Sequence, residues 1–330
     1  MSTPPSPTDL PPPGGSRISR QQLACSTLWN YGRHRDGTGM IRQLRSLGFN
    51  AAEISASVRP AYWPGIIHAA ESGSTRIVSI HRHVTHGGLM SSASPQITDT
   101  SLVMRRRAVE EYQECIRRAA SLGSPAHPAP VVILNLGNTA MRDTTSQLEQ
   151  WYRRDELLSR QYVAAKIRAT RERKELFPLL WERVKECLTP LVETAGELRV
   201  RLAIETGATF EAFPHEEEMD EVLEAFPQNV LGYWHDFGHA ARKEFLGWHT
   251  HADTLVRRRH RLFGCHIHDC RAPAEDHLPL GHGEINFVQL APLLPQHCVA
   301  VLELGGAATD EQLIASRNRW SALWNSYANT

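Results

Sequence analysis

The 330-residue sequence carries no net charge, with 36 lysines and arginines set against 36 aspartates and glutamates. That balance excludes a strongly basic chain that holds nucleic acid through its overall field, and equally an acidic, disordered one. No run of about 18 uninterrupted apolar residues occurs, so no membrane-spanning helix is expected. The six cysteines (Cys25, Cys115, Cys187, Cys265, Cys270 and Cys298) show no C-x-x-C spacing. Reduced thiols in a cytoplasmic protein are therefore the expectation. No Walker A sequence occurs, and Cys25–Arg33 holds no G-x-G-x-x-G turn. An open, doubly wound nucleotide-binding sheet would show such a turn after its first strand.

What is present is an ordinary globular composition, 41% hydrophobic and 22% charged. Met1–Gly15 holds six of the twenty prolines and neither a basic nor an apolar export core. Residues 1–20 are expected to be a disordered tail, because they offer too little apolar surface to offset the entropy of ordering. Residues 21–330 are expected to form one domain. There, short apolar runs alternate with stretches of helical period. Strands are expected over Leu23–Leu28, Phe49–Ile54, Arg76–His81, Val131–Leu136, Val200–Glu205, Val230–His235, Leu262–His268 and Cys298–Glu303. Helices are expected over Thr38–Leu47, Pro64–Glu71, Ser101–Leu122, Glu216–Ala225, Leu246–Val256, Phe287–Leu294 and Asp310–Trp324. Eight strands, each followed by helix, make an α/β class fold, a (β/α)8 TIM barrel. After the fourth strand, helical pattern extends over Thr145–Ala195, longer than one barrel helix requires. Pro178 and Pro190 are expected to break it into pieces.

Functional residues of such a barrel collect at the C-terminal ends of the strands. Four successive strands end there with a carboxylate or an imidazole: Glu205, Asp236, His266 and Glu303. One such residue would mean little, since a lone strand-end Glu is usually a cap or an ion-pair partner. The 17 histidines, 11 of them after residue 200, also discount any single one. Together, three oxygen donors and one nitrogen donor suit one divalent ion, Mn²⁺, Mg²⁺, Co²⁺ or Zn²⁺. Burying several carboxylates without a cation is costly. By spacing, His268 shares a strand face with His266, so either histidine fits. Trp29, Tyr62 and Trp63 fall just after the first two strands and suit either a wall for a sugar ring or core packing.

Glu205, the Asp236-x-x-His239 pair, the His266-x-x-Asp269 segment, the run from Gly281 to Phe287 and Glu303 resemble the xylose-isomerase-like TIM-barrel superfamily. That group includes ketose 3-epimerases, hydroxypyruvate isomerases, inosose dehydratases and type-IV apurinic endonucleases. Its usual G-E-G-x-I-D-F stands here as G-H-G-E-I-N-F, departing at His282 and Asn286. The resemblance is firm from Val200 to Gly306 and diffuse from Leu23 to Gly137. It implies that Glu205, Asp236, His266 and Glu303 hold the metal, with His266 preferred over His268 by the H-x-x-D pattern. It also implies that Glu205 and Glu303 move the proton, that His239 and Glu211 contact substrate hydroxyls, and that Arg271 holds the sugar. Arg271 falls five residues after His266, where the epimerases have six. His81 matches a metal or substrate position, and Glu53 ends the second strand either as a substrate contact or as a buried structural carboxylate.

The implied activity is a metal-dependent sugar isomerase or epimerase, acting through proton removal next to a carbonyl and a stabilised enediolate. The same intermediate would serve a dehydratase or lyase acting on a keto-inositol or keto-glycoside. The endonuclease alternative lacks a histidine where Asn135 ends the fourth strand, and neutral charge gives little pull on phosphates. A non-catalytic scaffold would not need these four ligand residues together. The expected partner is a small sugar or polyol, with no nucleic acid and no membrane. The 145–195 segment is expected to cover the barrel mouth or to form a homodimer contact.

Overall fold

The computed structural model describes residues 23–82, 94–124 and 127–328. The proline-rich segment 1–20 and His83 lie outside the described residues. In chain order the elements are β1 (Leu23–Ser26), α1 (Gly37–Ser46), β2 (Ala51–Ile54), α2 (Trp63–Glu71), β3 (Arg76–His81), α3 (Leu102–Leu122) and β4 (Val131–Leu134). Next come α4 (Thr145–Arg153), α5 (Arg160–Glu197), β5 (Leu202–Glu205), α6 (Glu216–Glu224), β6 (Leu231–Asp236), α7 (Phe237–Phe245) and α8 (His251–Arg258). The chain continues through β7 (Leu262–Ile267), β8 (Asp269–Arg271), β9 (Glu275–Leu278), α9 (Phe287–Leu290), β10 (Val299–Leu302) and α10 (Asp310–Ala328). Eight of the strands, all parallel, close in the order β1-β10-β7-β6-β5-β4-β3-β2. The two short strands β8 and β9 form a separate antiparallel hairpin just after β7. The expected (β/α)8 barrel is present.

Alternation along each strand sorts the side chains into two cores. Outward-facing residues such as Ile54, Ile80, Val132, Leu202, Cys265 and Leu302 pack under the helices. The inside is a small cluster of Ala24, Ala51, Val78, Val131, Ile133, Ala203, Phe263 and Val301 around Trp234. Trp234 is fully buried, and most of its neighbours are small because its indole takes up much of the available volume. Gly264 is the clearest accommodation: a Cβ there would lie 2.2 Å from the Trp234 ring. The strand ends above this plug are polar, and they form the mouth.

Two expectations are corrected. Pro178 and Pro190 do not break the 145–195 segment in pieces, because both lie inside α5, one 38-residue helix about 57 Å long. Each proline costs a backbone hydrogen bond, but the buried stripe of Leu180, Trp181, Val184, Leu188, Leu191 and Ala195 outweighs that cost. The actual break is at 154–159, where Asp155 and Leu158 adopt positive φ. The helix expected over Leu246–Val256 is instead two: α7 starts directly on the Asp236 cap, and Gly247 at φ +64° separates it from α8. Trp29, Tyr62 and Trp63 are all at least 95% buried, as core packing requires. Among the described residues no helix is long and apolar enough to cross a membrane.

Replacing Gly264 by Ala should destabilise the barrel by about 1–3 kcal/mol, because the Trp234 ring must move. Urea denaturation measures the loss, and an unchanged midpoint would show that the interior has room for a methyl group.

Candidate active site in the barrel mouth

Six polar strand ends converge in the mouth. Glu53 comes from β2, His81 from β3, Glu205 from β5, Asp236 from β6 and His266 from β7, and Glu303 follows β10 directly. His266 stands at the centre. Its Nδ1 lies 2.6 Å from Glu205 Oε1, 3.2 Å from Glu303 Oε2 and 3.5 Å from Asp236 Oδ2. Its Nε2–H donates to Glu53 Oε2 at 2.9 Å, and the Ser79 hydroxyl donates to the same oxygen at 2.7 Å. His81 stacks on His266 with ring centroids 5.2 Å apart, and its Nε2 lies 3.7 Å from Glu53 Oε1. All of these side chains are at least 90% buried.

Four carboxylates in so small and dry a volume set the electrostatics. Burial and then the crowding of Glu53, Glu205 and Asp236 push the Glu303 carboxyl up to about 8, against the opposing pull of His266. Burial disfavours a charged His266, but Glu303, Glu53 and Glu205 hold its pKa well above the usual imidazole range. Burial would raise Glu53, yet His266 and His81 bring it down to about 2. Glu205 is likewise lowered by His266 despite its burial, and Asp236 is held well below its usual value by His239 and His268.

The residues around the mouth hold it in shape. Asp236 caps α7 by accepting from the His239 N–H at 2.8 Å. This accounts for the D-x-x-H spacing, since the third residue of the helix meets the cap. The His239 Nδ1–H donates to the Thr206 carbonyl at 2.9 Å, which leaves Nε2 unprotonated in the neutral ring. Asp269, last of the H-x-x-D segment, accepts from the N–H groups of Cys270, Gly281 and Ile285. It thereby holds the glycine-rich turn. Gly283 sits so close that a Cβ would be 2.4 Å from Asp269 Oδ1. Arg242 joins Asp276 of the β8–β9 hairpin to Glu149 of α4, fastening part of the 145–195 segment to the loop that follows β7.

Glu205, Asp236, His266, Glu303 and His81 are thus brought together, with His239 beside them. Glu211 and Arg271 are not. Both Glu211 oxygens are taken by the Thr144 and Thr145 N–H groups and the Thr145 hydroxyl, so it caps α4 instead of facing a sugar. Arg271 is half exposed on the hairpin, pairing with Glu275 and the His282 carbonyl. His268 touches Asp236 Oδ1 at 3.0 Å and stacks on His277, whose Nε2 lies 3.8 Å from Glu303 Oε2. The role of Glu53 was not legible in the sequence. A strand-end Glu looks the same whether it faces a substrate or fixes an imidazole, and only the His266 contact separates the two.

A buried cluster of oxygen and imidazole donors closes the mouth of a parallel α/β barrel, a candidate metal site. The chain belongs to the xylose isomerase-like TIM barrel family, whose pattern matches residues 41–312. No curated protein matches the sequence. Among solved structures, a D-tagatose 3-epimerase-like protein superposes with a TM-score of 0.64 at 15% identity, covering 93% of this chain and 98% of that one. The 3-keto-D-glucoside 4-epimerase of E. coli gives 0.60 at 12% identity, covering 92% and 99%. D-psicose 3-epimerase of Clostridium cellulolyticum gives 0.61 at 15%, covering 93% and 98%. At these identities the likeness is one of fold.

The mouth fits a divalent ion on its own chemistry. Ligand atoms of Glu205, Asp236, His266 and Glu303 all lie within 4.8 Å of one another. Asp236 Oδ2 and Glu53 Oε1 are buried without a hydrogen-bond donor, a costly state for carboxylate oxygens. Without a cation, His266 and Glu303 both hold a proton at pH 7, and an ion must displace both. Metal affinity should therefore rise up to about 100-fold per pH unit below pH 8, and less steeply above it, where only His266 still has a proton to give up. Titration calorimetry in buffers of different ionisation enthalpy should count about two protons released, falling to about one in Glu303→Gln.

Proposed function

We propose that the protein is a divalent-metal-dependent sugar isomerase or epimerase that moves a proton at a carbon next to a carbonyl. The observation that carries this reading is the pair Glu205 and Glu303, which flank His266 from strands separated by β6 and β7. Their proton affinities are driven in opposite directions, Glu205 down and Glu303 up to about 8. Divergent carboxyls of this kind divide acid and base work between them. A divalent ion held by Glu205, Asp236, His266 and Glu303 would supply Lewis-acid stabilisation where negative charge develops on substrate oxygen.

The remaining steps belong to the chain's own residues. Glu303, freed of its own proton, removes the proton from one face of the substrate carbon, and Glu205 returns one taken up from solvent to the other. A carboxyl made unusually basic by its neighbours remains a competent base after a nearby cation has lowered its affinity. Glu53 holds the Nε2–H of His266 and so directs Nδ1 toward the ligand oxygens. His239 offers Nε2 to a substrate hydroxyl. The Trp234 plug closes the floor and limits water around the intermediate. The solved neighbours act on, or are named for, D-tagatose, 3-keto-D-glucosides and D-psicose, which supports a ketose or keto-sugar substrate. With a leaving hydroxyl β to the carbonyl, the same enediolate would eliminate water instead.

Incubation in D₂O with a panel of ketoses, inososes and keto-glycosides should show deuterium entering next to the carbonyl. Glu205→Gln and Glu303→Gln should each slow this by about 10²–10⁴-fold, and a chelator should abolish it. Three bound cations per chain with nicking of abasic DNA would replace the reading by phosphodiester hydrolysis.

A further inference from the structure

A second group of metal-ligand side chains lies apart from the mouth residues, where α6 begins and where α7 turns into α8. His215 precedes α6, Glu216 is its first residue, and His249 sits in the α7–α8 turn. His215 Nε2 lies 3.2 Å from Glu216 Oε2, and His249 Nδ1 lies 3.6 Å from the same oxygen. All three ligand atoms fall within 4.8 Å of one another. Bond lengths near 2.1 Å in a tetrahedral zinc site place neighbouring ligand atoms about 3.4 Å apart, between the two measured values.

None of these atoms has another partner. His215 Nε2, Glu216 Oε2 and both ring nitrogens of His249 are buried and without hydrogen bonds. Their side chains are at least 90% buried. The other Glu216 oxygen is taken by Lys243, which fixes the carboxylate and leaves Oε2 turned to the imidazoles. Burial, reinforced by the positive charge of Lys243, keeps both histidines neutral, with His215 well below its usual pKa and His249 down to about 4. Neutral imidazole is the ligating form. The surrounding charges cancel, Lys243, Arg173 and Arg258 against Glu216, Glu218 and Asp220. A cavity of about 350 Å³, lined by all three residues with Thr250 and Asp253, gives a route of entry.

We infer that His215, Glu216 and His249 form a second divalent-cation site, selective for Zn²⁺-like borderline ions, that clamps the start of α6 to the α7–α8 turn. Two imidazoles and one carboxylate favour such ions over Mg²⁺ or Ca²⁺, and the fourth position is left for solvent from the cavity.

The test is a metal count on the full chain, stripped with chelator and reloaded with Zn²⁺, then with Co²⁺ as a spectroscopic probe. His249→Ala should hold one Zn²⁺ fewer per chain than the parent, with affinity at this site weakened by more than about 100-fold. It should also lose the strong visible absorption of tetrahedral Co²⁺. His249→Cys, which keeps a soft ligand at a turn position, should restore the ion and add a sulfur charge-transfer band. In Glu205→Gln/Glu303→Gln the His249-dependent ion should remain, so this site and the mouth fail separately. Equal metal content in parent and His249→Ala, with both folded by circular dichroism, would overturn the proposal.

Discussion

The architecture of the mouth follows from placing four carboxylates where water cannot screen them. Glu53, Glu205, Asp236 and Glu303 surround a single imidazole, and their mutual repulsion is relieved by bound protons or by a cation. Without a metal, a protonated His266 and a protonated Glu303 meet that need. A divalent ion in the mouth would displace both protons. The same repulsion that makes the site hungry for a cation also makes Glu303 basic, so ion binding and proton transfer draw on one source of energy.

The supporting structure economises on residues. Asp236 caps α7 through Oδ1 and turns Oδ2 toward His266, so the helix start and the site geometry cannot drift apart. Asp269 ends the β7 segment and gathers three backbone N–H groups of the glycine-rich turn. Arg242 links the β8–β9 hairpin to α4. Each is a polar group whose partners lie far away in sequence, which suits a rim built from loops.

Those long-range partnerships also decide how much of the molecule could be read in advance. Strand ends were legible, because a carboxylate or imidazole closing four buried strands in succession breaks the apolar pattern at one place in the fold. Glu205, Asp236, His266 and Glu303 therefore came together as expected. Glu211 and Arg271 lie in loops, where the path of the chain and not its period decides what a side chain meets. One became a helix cap and the other an exposed ion pair. Pro178 and Pro190 misled for a different reason. Local propensity argues for a break, but the packing of α5 against α3 is tertiary and outweighs it. His215 and His249 stand 34 positions apart with no motif to join them, and only the turn after α7 brings them together.

Trp234 has a consequence beyond filling space. Its indole meets the His266 ring edge to face, with centroids 5.2 Å apart, and it is one of eight tryptophans in the chain. A protonated imidazole quenches indole emission strongly, whereas a neutral one does so weakly. The barrel thus carries a fluorophore directly beneath the site, whose emission should rise when the His266 ring loses its proton.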